Sequence, residues 1–130
     1  MSLVVPEKKF DYLCQTYEDV STEIETGRKL EMQRLRNYGN PKFTYYPDKA
    51  VVKQETMRKG KYIKLDFPIL KDGSSITWRV DNITRTFNLS DKILSEKFIS
   101  PEYKTNMKGE LILIEEYWEN IWKARCSLKD

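Results

Sequence analysis

The stretch Phe10-Asp11-Tyr12-Leu13-Cys14-Gln15-Thr16-Tyr17-Glu18-Asp19-Val20-Ser21-Thr22-Glu23-Ile24 repeats an apolar side chain at Phe10, Leu13, Tyr17, Val20 and Ile24. Spacings of three and four residues are those of one stripe along an α-helix, and Pro6, just upstream, is a residue that can open one. The pattern predicts a long amphipathic helix over 7–38. Gly27 falls where the next stripe residue belongs, and Leu30, Met32 and Leu35 resume the pattern less regularly, which predicts a bend or break near Thr26-Gly27. Asn37-Tyr38-Gly39-Asn40-Pro41 then supplies a glycine for the cap and a proline stop.

Working outward, the next segments read as strands. Ile63, Leu65 and Phe67 alternate with Tyr62, Lys64 and Asp66, the period-2 signature of a half-buried strand. Asp72-Gly73 supplies a hairpin turn, after which Ile76, Trp78 and Val80 alternate with Ser75, Thr77 and Arg79. Asp81-Asn82 allows a second tight turn, followed by Ile83, Phe87 and Leu89 on one face. The result is an antiparallel meander over 61–89. Arg85 falls on the inward face of that register, which means a sheet edge, a carboxylate partner or a register wrong by one residue.

The flanks complete the expectation. Phe43–Tyr46 and Ala50–Val52 read as strands, and Lys53–Gly60 as a polar loop. Ser90-Asp91 has the chemistry of a helix N-cap, predicting a short helix over 91–98, while Glu102–Gly109 reads as a polar connector. Leu111–Ile114 suits a buried strand, yet Leu111, Ile114, Trp118, Ile121, Trp122 and Arg125 also fit one helical face, so 110–116 reads as strand or helix, and 117–127 as a helix with Trp118 and Trp122 one turn apart against the sheet. The expected fold class is α+β: one domain, 1–130, with the N-terminal helix and a C-terminal helix packed on an antiparallel sheet, and 42–115 mainly β.

A chain of 130 residues, 39% hydrophobic and 33% charged, is long enough for one core without a metal or disulfide staple. No apolar run approaches the roughly 18–20 residues of a spanning helix, and Leu3-Val4-Val5 is too short for a signal peptide's apolar region. A cytoplasmic or nuclear protein with no membrane partner is therefore expected, not a secreted one. In that setting Cys14 and Cys126 are expected to be reduced thiols, and the sequons at Asn82 and Asn88 to be idle. The absence of histidine excludes Ser-His and Cys-His nucleophile pairs and His-containing zinc sites. The carboxylate pairs Glu18-Asp19 and Glu115-Glu116 lack a second acidic motif and read as solvated charge, so no catalytic residue, metal or cofactor is expected.

Two functional readings remain. The helix stripe Phe10, Leu13, Tyr17, Val20 and Ile24 predicts a non-enzymatic interaction or assembly module that binds another protein or a second copy of the chain. The alternative rests on charge: residues 28–64 carry eleven basic against three acidic side chains, interleaved with aromatics. Lysine and arginine neutralise phosphates and aromatic faces stack on bases, so Lys42, Tyr45, Arg58, Lys59, Lys61, Tyr62 and Lys64 are the candidates for contact with RNA or single-stranded DNA.

Overall fold

The computed structural model describes residues 7–31, 41–81 and 83–129, and among them there is no helix. Nine antiparallel strands run in chain order: β1 (Phe10–Glu23), β2 (Lys29–Glu31), β3 (Lys42–Tyr46), β4 (Val51–Arg58), β5 (Lys61–Lys71), β6 (Ser75–Val80), β7 (Ile83–Asn88), β8 (Ile93–Thr105) and β9 (Leu111–Leu128). Each of β3 to β8 pairs with the next, β3 pairs with β1, and β9 closes on β1. Eight strands thus form a closed barrel. The short β2 pairs with the far half of β1, along the edge whose near half holds β3.

The α+β expectation is overturned. The N-terminal helix is strand β1 and the C-terminal helix is the second half of β9, which pair with each other from Tyr12↔Leu128 to Glu23↔Trp118. The helical spacing in β1 comes from a bulge between Thr16 and Glu18, where one extra residue switches which side chains point inward. Tyr12 and Cys14 turn inward before it, Asp19, Ser21 and Glu23 after it. The apolar residues Leu13 and Val20 are left outside, four or three positions from Tyr17 at the bulge. The helix ending at Tyr38 and its Asn37–Asn40 stop signal, with Met32 and Leu35, lie outside the described residues.

The short helix at 91–98 is the start of β8. The residues that looked like an N-cap instead close the β7–β8 turn: Asn88 Oδ1 accepts from the Ser90 and Asp91 amides, and Asp91 Oδ1 from the Ile93 amide. Capping and Asx turns use the same side-chain-to-backbone bond, so the sequence cue is shared. The polar loop 53–60 is most of β4, joined to β5 by the two-residue turn Lys59-Gly60, both at positive φ. The connector 102–109 is the end of β8 and a turn. The meander over 61–89 is present, with β5 extending to Lys71 through Pro68. Ile69 donates its amide to Ala50 on the β4 side, so Pro68 turns its missing N–H the other way, where pairing with β6 begins only at Ile69.

Core packing fills one part of the barrel. Tyr12, Phe43, Val52, Ile76, Trp78, Phe87, Leu94 and Ala124 are buried there, with Phe43 ringed by Tyr12, Trp78 and Phe87 at centroid distances of 5.0–5.2 Å. Cys14 and Cys126 stand opposite each other on β1 and β9 and are joined in a disulfide. The expectation of two reduced thiols is corrected accordingly: barrel closure brings the two ends of the chain into register, which their distance in sequence concealed.

Candidate ligand site in the barrel lumen

Above the aromatic layer the inward positions become polar. Register places Trp78, Arg85, Glu96, Trp122 and Asp19 in one row across β6, β7, β8, β9 and β1. Inward parity on β4 adds Gln54 and Thr56. An eight-stranded barrel has an interior just wide enough to be filled by side chains or to hold one small ligand. Here large aromatic groups fill one half and hydrogen-bonding groups line the other.

These groups are coupled. Arg85 donates from Nε to Glu96 Oε1 and from Nη1 to Gln54 Oε1 at 3.3 Å, and Trp78 Nε1 donates to the same Gln54 oxygen at 2.8 Å. The Arg85 guanidinium lies 5.4 Å from the centre of the Trp122 ring, a cation–π arrangement, and Trp122 Nε1 donates to Thr16 Oγ1 at 3.2 Å. One layer further along, Ser21 donates to Asn120 Oδ1, and Asn120 Nδ2 donates to Ser100 Oγ at 2.9 Å. Glu96 is only 4% exposed, yet its Oε2 has no hydrogen-bond donor among the described residues, and neither does Thr56 Oγ1. An ionised carboxylate oxygen removed from water without a donor carries a desolvation cost that a bound donor group would relieve.

At the rim, Glu23 collects Thr26, Arg28 and the Tyr117 hydroxyl. The hydrogen bonds from Thr26 and Tyr117, followed by the Arg28 charge, hold its pKa at about 2, below an ordinary 4.5. Solvent reaches this end of the barrel: Thr56, Ile83, Arg85 and Ser100 are half-buried, whereas Val52, Ile76, Phe87 and Leu94 in the packed half are fully buried. Among the described residues no cluster of acidic or cysteine side chains has the makings of a metal site.

The sequence candidates fall elsewhere. Phe10, Leu13, Tyr17, Val20 and Ile24 do not share a face, so a partner held by an N-terminal helix is ruled out. Phe10 stands 6.2 Å from the Tyr45 ring, Leu13 and Val20 point outward, Tyr17 lies under the Arg125 guanidinium and Ile24 follows the end of β1. Of the nucleic-acid candidates, Lys42 and Lys64 line an outer groove of about 360 Å³ together with Asp11, Lys53 and Glu55. Glu55 sits directly across from Lys64, and Lys53 pairs with Asp66 at 3.8 Å, so acidic side chains interrupt the basic surface. Tyr45 is buried in the core and offers no face for stacking. Lys59, Lys61 and the exposed Tyr62 cluster at the β4–β5 turn, with Arg58 bound to Asp81 at 2.8 and 3.3 Å.

Sequence reasoning missed Glu96, Gln54 and Trp122 as a group, because each lay in a segment read as helix or loop. The one available signal was Arg85, for whose inward position a carboxylate partner was one of three readings; that partner is Glu96. Comparison with protein-family models, with curated proteins and with solved structures finds no match for this chain.

Proposed function

We propose that the protein binds a small, cationic or donor-bearing molecule in the polar half of its barrel. The observation that carries this reading is the buried Glu96 carboxylate, held by Arg85 through one oxygen and left with the other unpaired among the described residues. An ammonium or amidinium group would satisfy Glu96 Oε2 through a charge-assisted hydrogen bond. Polar groups that converge toward the mouth of a barrel are a usual setting for binding and orienting a small molecule.

Thermal-shift and calorimetric titrations with benzylamine and benzamidine, against benzyl alcohol and benzoate, test this. The cations are expected to stabilise the protein and benzoate to have no effect. Glu96→Gln, which keeps the shape and removes the charge, should abolish the preference. Equal responses to benzylamine and benzoate, or no response to any of the four, would count against the reading.

A further inference from the structure

The β8–β9 hairpin outgrows the barrel. Beyond the bulge between Ser100 and Glu102, the pairs Glu102↔Ile114, Tyr103↔Leu113, Lys104↔Ile112 and Thr105↔Leu111 are made only between these two strands among the described residues. This arm presents Tyr103, Leu111 and Leu113 on one face, 65%, 72% and 45% exposed. An open strand edge beside an apolar face is a template for strand addition.

Backbone parity says which edge groups are available. Asn106 donates its amide to Glu110 across the hairpin, so Tyr103 and Thr105, an odd number of residues away, aim their N–H and C=O groups out of the open β8 edge. Around Tyr103 that edge is self-complementary. If a second copy pairs antiparallel with a two-fold axis through Tyr103, the two Tyr103 backbones exchange two hydrogen bonds, Glu102 of each chain stands opposite Lys104 of the other, and Pro101, lacking an N–H, ends the seam. Pairing through β9 instead, with the axis at Leu113, would set Glu110 against Glu116 across the Leu111–Glu115 run.

We propose that this arm is a self-association surface, joining two copies of the chain edge to edge along β8 into a four-stranded sheet. It is a different element from the stripe on β1 and does not depend on what the lumen binds. An anionic bilayer is the poorer occupant, because residues 102–116 carry four carboxylates against two lysines.

Sedimentation equilibrium over a wide concentration range is the test. The wild type is expected to form a dimer, and Glu102→Lys or Lys104→Glu alone should weaken it by about tenfold or more, since each places like charges opposite one another twice per dimer. The combined exchange Glu102→Lys with Lys104→Glu should restore it. Loss of Glu102's bond from Trp118 or of Lys104's place over Tyr117 would not be rescued by that exchange, so rescue separates pairing between chains from support within one. A monomer at all concentrations up to about 1 mM, a dimer indifferent to the single reversals, or a monomer that sediments with phosphatidylserine vesicles through Leu111 would each overturn the proposal.

Discussion

Arg85 and Glu96 face each other across the β7–β8 ladder inside the barrel, an ion pair whose carboxylate is almost completely withdrawn from solvent. Such a pair is expensive to bury and far more expensive to break than to replace. Glu96→Ala is expected to cost about 3–5 kcal/mol, because the guanidinium is left largely buried without its counter-charge. The double change Arg85→Met with Glu96→Leu should come within about 1–2 kcal/mol of the wild type. Urea denaturation of the wild type and these two variants checks both figures.

Glu23 makes a pH-dependent contribution. Its folded pKa of about 2 lies below the ordinary 4.5, so the stabilisation is fully present above that ordinary value and disappears as pH falls toward and through about 2. The stability gap between wild type and Glu23→Gln should therefore be constant near neutrality and narrow steadily in acid. Thermal denaturation of both proteins across that range reads it directly, and a gap that widens on acidification contradicts the assignment.

The Cys14–Cys126 bond ties the first barrel strand to the last across a sequence separation of 112. Closing so long a loop constrains the unfolded chain, and reduction is expected to lower stability by about 2–5 kcal/mol. Intact-mass measurement after alkylation without reductant should find no modified cysteine. Two alkylated thiols in the folded protein would contradict the pairing.

Gly60 sits at φ +76° in the two-residue turn between β4 and β5, with open space where a Cβ would go. The cost of Gly60→Ala is then almost wholly backbone strain, about 1–2 kcal/mol. A chemical-denaturation midpoint unchanged by this substitution would mean that the turn adopts a different conformation.

The meander was legible because the inward residues Ile76, Trp78, Val80 and Phe87 are apolar, so the period of two survives in the sequence. In β1, β4 and the start of β8 the inward positions near the open end are Asp19, Ser21, Glu23, Gln54, Thr56 and Glu96, polar residues that erase the alternation. The β1 bulge then recast what remained as a helical period. The same polar side chains that hide the strands build the candidate site, so the fold and the site were obscured by one cause. Arg85 alone kept its signal, because it sits between neighbours whose pattern was clear.

The most direct test of the lumen account is the indole N–H region of a ¹⁵N-labelled spectrum during titration with benzylamine. Trp78 and Trp122 border the Arg85–Glu96 pair and Trp118 lies at the rim bonded to Glu102, so each reports a different place. The account predicts saturable shifts of the Trp78 and Trp122 indoles, larger than any at Trp118, that vanish in Glu96→Gln. Shifts confined to Trp118, or identical in the wild type and Glu96→Gln, would contradict it.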